Sequence, residues 1–456
     1  MDTVIGKNKR KLTPPQILVI GFAVTILIGA LLLTLPISTE NGQPLPFVDA
    51  LFTSTSAVCV TGLVVRDTAT TFSTFGELVI ITLIQVGGLG FMTFATLLAI
   101  LLGKRIGVKE RLVLKEAFNQ LKMAGIVQLV LYVVIITFTI EGLGMVALAF
   151  QWVPQFGWEK GLYYSFFHAV SAFNNAGFDL FGDVYGKFSG LTHFVESPIV
   201  NLTITSLIIL GGVGFIVIVE LLQYHRTKRL SLHTKLVLSV SAILIVSGML
   251  LIMMVEWMNP KTLGPLSFGG KILAAYFQSV SPRTAGFNTV DIAGLYPTTQ
   301  FLIVILMFVG ASPSSTGGGI KTTTLAAILL SVWAMVRGHD DVESFRRRIP
   351  STQVYKALTV TAAALTLVIA VTMVLTITES HYLGRDILPA LFETVSAFGT
   401  VGLTMGFTPH LTVAGKLLIA FTMFAGRLGP VTIAFAVAKR NEYRPFRYPE
   451  ERPLIG

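Results

Sequence analysis

The chain has 456 residues, of which 53% are hydrophobic and only 13% charged, and its mean hydropathy is +0.74. These values exclude an ordinary soluble domain and a disordered chain, and indicate a polytopic membrane protein. The formal charge of +10 raises nucleic acid as a partner, but the placement of the basic residues argues against it.

In chain order, a basic tail (Lys7, Lys9, Arg10, Lys11) precedes an apolar run at residues 17–35, too long for a cleavable signal and followed by no small-residue cleavage site. Further runs of about 20 apolar residues at 78–102, 128–150, 236–255 and 358–377 are each long enough to cross a hydrocarbon core. Basic clusters fall between them, at 104–122, 226–235, 337–356 and 439–452. With the tail they hold 24 of the 34 Lys and Arg, all on one face if eight helices thread alternately and re-entrant loops occupy the other. The positive-inside rule makes that face cytoplasmic, with both termini on it, and accounts for the charge without nucleic acid. The single cysteine, Cys59, excludes an internal disulfide and a cysteine metal cluster.

A fourfold internal repeat organises the chain. Segments beginning at Phe52, Phe167, Phe277 and Phe392 each run through small and polar residues to Gly62, Gly177, Gly286 and Gly402, followed by Leu or Phe. The glycines are 115, 109 and 116 residues apart, and the third copy is one residue shorter between its Phe and its Gly. An apolar run precedes each signature and another follows it. The second runs carry a landmark of their own: Gly87-Gly88, Gly211-Gly212, Gly310-Ala311 and Gly426-Arg427. The predicted architecture is an all-α membrane protein of four pseudo-symmetric helix, re-entrant pore loop and helix repeats around a central pore. Its parts are a cytoplasmic tail at 1–12, repeats at 13–122, 123–230, 231–350 and 351–440, and a C-terminal tail at 441–456.

Polar, non-helical backbone is tolerated at membrane depth only where protein encloses it or it lines a water-filled cavity. Four such segments imply one shared cavity. The residues before the glycines are Val60-Thr61, Asn175-Ala176, Thr284-Ala285 and Thr400-Val401, uncharged side chains whose carbonyls can replace the hydration shell of a cation. Glycine suits positions where crowding on an axis leaves no room for a Cβ. Gly87, Gly88, Gly90, Gly211, Gly212 and Gly214 lie within apolar runs, and close helix approach or bending is the expected role. Arg283, Glu393 and His168 lie inside the signatures and are expected to brace the filter from behind, since equivalent positions carry Thr53 and Gln278 and no ring of charge forms.

The third copy interrupts its second run with Gly310, Ala311, Ser312, Pro313, Ser314, Ser315, Thr316, Gly317, Gly318, Gly319, Ile320 and Lys321. Three consecutive glycines, a proline and several hydroxyls should break any helix there, leaving a flexible intramembrane loop below the filter. A phosphate-binding loop is excluded because Ile320 stands where that motif needs Gly and no buried strand precedes it. Lys321 and Arg427 are the basic residues left within the predicted spans. Intramembrane charge is functional by default, and Arg427 is expected to point toward the pore and bond the loop. No metalloprotease motif or nucleophile with a base partner supports an intramembrane enzyme. All copies begin on the basic side, so the repeats are parallel rather than inverted, unlike many secondary transporters.

The chain resembles the membrane subunits of Ktr-type K⁺ uptake systems, within the Trk, Ktr and plant HKT superfamily. The resemblance spans nearly the whole chain and is carried most specifically by Ser-Ala-Phe-Asn-Asn-Ala-Gly-Phe ending at Phe178, Pro-Arg-Thr-Ala-Gly-Phe-Asn ending at Asn288 and Ser-Ala-Phe-Gly-Thr-Val-Gly-Leu ending at Leu403. It implies a K⁺ filter at the four glycines and the residues just before them. Gly62, where some Na⁺-selective relatives carry serine, favours K⁺, whereas Cys59 stands where threonine is expected. It further implies a homodimer in the bacterial plasma membrane, a gating role for the 310–321 loop, and a cytoplasmic ring of nucleotide-binding (RCK-type) subunits through which alone ATP or ADP would act. Na⁺ as an activator and contact with membrane lipid belong to the same expectation.

Overall fold

The computed structural model describes residues 12–102, 106–117, 125–384 and 386–437, together with 449 and 451. The basic tail before residue 12, the linker residues 103–105 and 118–124, and nearly all of the C-terminal tail lie outside that set.

Four long helices open the four units: α1 (Pro14–Thr34), α6 (Ile126–Phe156), α10 (Leu232–Glu256) and α14 (Ser351–Thr378). All four are long and apolar enough to cross a membrane. Each packs on the short pore helix that follows it, α2 (Phe47–Val58), α7 (Trp158–Phe173), α11 (Phe268–Val280) and α15 (Leu388–Gly399). The hydroxyl-rich pore helices are tolerated because their side chains are satisfied by backbone. Ser54 donates to the Ile26 carbonyl (2.7 Å) and the equivalent Ser279 to that of Ile245 (2.6 Å), each onto the first helix of its own unit.

The second helices are where the structure departs from the sequence reading. The run at 78–102 is not one span but α3 (Thr74–Leu89) and α4 (Phe91–Leu101), bent by 97°. Unit 2 repeats this with α8 (Pro198–Val213) and α9 (Phe215–Thr227), bent by 96°. The hinges are Gly90 (φ 82°) and Gly214 (φ 96°), a backbone region that disfavours any residue with a Cβ. Between units 1 and 2, α5 (Val108–Ala117) lies in the first linker. In unit 3, α12 (Pro297–Phe308) and α13 (Thr322–Val336) are separated by the expected loop, so the helix breaks where glycine, proline and hydroxyls cluster. Unit 4 ends in α16 (Val413–Leu428) and α17 (Pro430–Val437), divided at Gly429. Among the described residues, the exception to the helical class is a short hairpin, β1 (Val342–Ser344) and β2 (Arg347–Ile349), between α13 and α14.

The units close on one another in order. The second helix of each packs against the pore helix of the next: α3 on α7, α8 on α11, α12 on α15, and α16 back on α2. This cyclic contact is the pseudo-fourfold arrangement that the repeat predicts.

Candidate ion pathway

The first turns of the pathway are set by the ends of the pore helices. In every unit the residue two before the signature glycine is left-handed, at Val60 (φ 50°), Asn175 (59°), Thr284 (68°) and Thr400 (49°). The glycines themselves have φ of 90°, 71°, 80° and 97°, while Thr61, Ala176, Ala285 and Val401 between them do not enter the left-handed region. Alternating handedness gathers successive N–H groups on one side and carbonyls on the other.

The four segments converge tightly. A Cβ built on Gly62 would stand 2.5 Å from the Ala176 carbonyl oxygen, and one on Gly177 2.6 Å from that of Ala285. On Gly286 it would strike the Val401 oxygen, and on Gly402 the Thr61 oxygen. Each glycine therefore abuts the backbone of the next unit, and the fourth returns to the first. The four glycines and the residue just before each thus form one closed ring of main chain, eight of the twelve residues expected there.

Behind the ring stands a residue that the sequence reading counted only among the small polar ones. Ser56 and Ser396 accept from the N–H of Gly62 (3.0 Å) and Gly402 (3.1 Å). Ser171 donates to the Phe178 carbonyl (2.8 Å) and Ser281 to that of Phe287. Their backbone carbonyls accept from Thr61, Ala176 and Val401 (2.8 Å each) five residues on, and from Ala285 (3.0 Å) four residues on. The missing residue of the third copy is thus absorbed between serine and filter. A fixed place four residues after the signature Phe was the signal that could have found these serines. Ser396→Ala should weaken cation selectivity severalfold while leaving expression intact, because one buried amide loses a bond of about 1 kcal/mol; K⁺ against Na⁺ flux would measure it.

The other signature residues lie away from the ring. His168 is buried, with Nδ1 at 2.8 Å from the Tyr164 carbonyl and Nε2 accepting from Leu180 N–H (3.4 Å). Glu393 is buried and accepts from Thr404 (2.8 Å) and Thr408, tying down the chain after the fourth glycine. Arg283 donates to Ser241 (3.1 Å) on α10. A buried triad that the sequence reading missed adds a polar tie between units 1 and 2: Asn174 donates to Glu141 (2.9 Å) and to Gln85 (2.8 Å).

The 310–321 loop sits against the ring and touches units 2, 3 and 4. Its amides at Ser312 and Thr316 donate to the carbonyls of Gly212 (3.0 Å) and Gly211 (3.2 Å), and Phe215 N–H donates to Ser314 (2.9 Å). The bend at Gly214 frees those helix carbonyls, and the loop satisfies them. Gly318 N–H donates to the Thr400 hydroxyl (3.0 Å), and Gly317 is so close to the Thr284 hydroxyl that it has no room for a Cβ. The Thr284 hydroxyl is 3.1 Å from the Asn175 amide, and the Thr316 hydroxyl 3.3 Å from the same amide. Lys321 turns back on its own loop, donating to the carbonyl of Gly317 (2.7 Å). Arg427 reaches in from α16, one nitrogen on the Thr316 carbonyl and the other on the carbonyls of Gly87 and Gly88 (3.3 Å for the latter). It therefore joins unit 4 to the loop of unit 3 and the bent helix of unit 1. Gly310 and Ala311 pair with the other limb of the loop, Ala311 N–H donating to Gly318 (3.3 Å), while Pro313 and Ser315 turn its lower end.

Four parallel repeats closed around a ring of backbone make this a multi-pass membrane protein with one central pathway. The profile of the TrkH cation transport proteins matches residues 9–444, and the chain belongs to that family. It is 48% identical over 446 residues to the Ktr system potassium uptake protein B of Bacillus subtilis, covering 98% of this chain and 97% of that protein. It is 42% identical over 458 residues to the potassium/sodium uptake protein NtpJ of Enterococcus hirae, covering all of both. Among solved structures, the potassium transporter TrkH of Vibrio parahaemolyticus superposes with a TM-score of 0.71 over 95% of this chain and 86% of that one; at 18% identity this likeness concerns the fold.

Proposed function

We propose that the chain carries K⁺ across the bacterial plasma membrane through the ring at Gly62, Gly177, Gly286 and Gly402, and that the 310–321 loop with Lys321 and Arg427 is its gate. The closed succession of glycine against neighbouring carbonyl supports this reading most directly, because carbonyl rings are what replaces water around a dehydrated cation. The pore helices add to it. Their C-terminal ends lead straight into the ring, and each end carries roughly half a negative charge that favours a cation. The names of the relatives, potassium uptake and potassium/sodium uptake, fit the same cargo and make Na⁺, as activator or co-substrate, the second reading.

Regulation follows from the same resemblance: a homodimer with cytoplasmic termini rests on a ring of nucleotide-binding subunits, and ATP or ADP acts only there. The protein itself is read as a transporter without catalytic residues. Flux of K⁺, Rb⁺ and Na⁺ into proteoliposomes tests the assignment. The native chain should pass K⁺ and Rb⁺ in preference to Na⁺, and Gly62→Ser should weaken that preference, since a side chain at φ 90° pushes on the Ala176 carbonyl. Absence of any cation flux, even with residues 310–319 deleted, would sink the pore reading.

A further inference from the structure

Outside the pathway, a cavity of about 700 Å³ is lined by Leu230, Ser231, Leu232, Lys235, Phe345, Arg346, Arg347 and Arg348. Four of these side chains are cationic and none is acidic. Of the acids nearby, Asp341 pairs with Arg348 of the lining (2.7 Å), Glu220 is bonded by Ser231 and Thr234, and Glu343 stands opposite Arg348 in the hairpin register. Lys235 lies over the Phe345 ring at 5.5 Å, and Arg346 and Arg347 have no carboxylate partner among the described residues.

The hairpin presents these groups at a steric cost. Phe345 (φ 49°) and Arg346 (φ 59°) are its two turn residues, and both are left-handed where Asn-Gly would be relaxed. Strain of this kind persists where the side chains serve a purpose beyond the turn.

The position within the fold names the ligand class. One wall of the cavity is the first turn of α10 and the other lies three residues before α14, both helices long and apolar enough to cross a membrane. Lys235 is one turn into α10, so the cations lie at the level where a spanning helix leaves the bilayer. Just deeper, Tyr355 and Leu358 on α14 and Val332, Trp333 and Val336 on α13 are exposed, and α13 packs on both α10 and the hairpin. Phosphate recognised by an arginine pair, with apolar surface directly beneath it, is the pattern of an anionic phospholipid. We propose that this cavity binds the phosphodiester headgroup of such a lipid, with acyl chains lying along α13 and α14. A soluble anion would have no use for the exposed aliphatic surface.

The test is native mass spectrometry of the full chain in detergent, presented with phosphatidylglycerol or phosphatidylcholine. The native protein should retain phosphatidylglycerol about tenfold more than phosphatidylcholine, and Arg346→Gln with Arg347→Gln should abolish that preference. Both arginines are exposed, and an unchanged size-exclusion profile and K⁺ flux in neutral lipid would establish that the variant folds. Equal retention by native and variant chains would overturn the site. Complete displacement of the lipid by millimolar inorganic phosphate would make it a free-anion site, and unchanged lipid retention with loss of a co-purifying cytoplasmic subunit would make it a protein contact. Either result would overturn the lipid assignment.

Discussion

Gly286→Ala is expected to reduce K⁺ flux at least about a hundredfold while Gly269→Ala, in the pore helix of the same unit, changes it less than about twofold. The two substitutions add the same methyl group. At Gly286 the backbone is left-handed (φ 80°), and the new Cβ meets the Val401 carbonyl, the Gly402 Cα at 3.1 Å and the Gly177 Cα at 3.3 Å. All three contacts are main chain of neighbouring units, which cannot rotate away. A left-handed non-glycine residue itself costs roughly 1–2 kcal/mol, and relief would require the ring to open and its carbonyls to retreat from the ion. At Gly269 nothing lies within 4 Å. Flux of ⁸⁶Rb⁺ into proteoliposomes compares the pair directly, and equal losses would show that the glycines matter for packing rather than for the ring.

Arg427→Gln should raise flux through the chain purified without any partner by about ten- to a hundredfold. The guanidinium holds the Thr316 carbonyl of the loop and, through Gly87 and Gly88, the bent helix of unit 1. Hydrogen bonds from a charged donor contribute about 1.5–3 kcal/mol, and each 1.4 kcal/mol moves an open–closed equilibrium tenfold. Removing a positive charge from the pathway would also lower the barrier to a cation, so flux alone does not separate the two effects. Deleting residues 310–319 does. If Arg427 acts through the loop, the substitution should have little further effect in the deletion variant; if it acts as a charge in the pore, the increase should persist. Single-channel recording gives the same division, as open probability against conductance.

Much of this arrangement was legible because it is repeated. Four copies of a polar stretch ending in glycine, each between apolar runs, leave few architectures that satisfy backbone at membrane depth. The break after Phe308 was equally plain, since glycine, proline and hydroxyl residues oppose a helix wherever the segment lies. The serines behind the filter were present in the same alignment but were hidden by their ordinariness. Nothing in a lone serine says whether its hydroxyl accepts from the filter, as Ser56 does, or donates to the residue after it, as Ser171 does.

Sequence by itself therefore determined the class, the number of repeats, the glycines and the place of the loop, because hydropathy, charge and backbone propensity are local properties that periodicity makes visible. Tertiary structure decided the right-angle bends at Gly90 and Gly214, the order in which each glycine meets its neighbour's carbonyl, and the convergence of Arg427, Thr316 and Gly87. The last two join residues separated by a hundred positions or more. Their partners are backbone groups, which every residue carries alike, so no side-chain pattern could announce them before the chain had closed on itself.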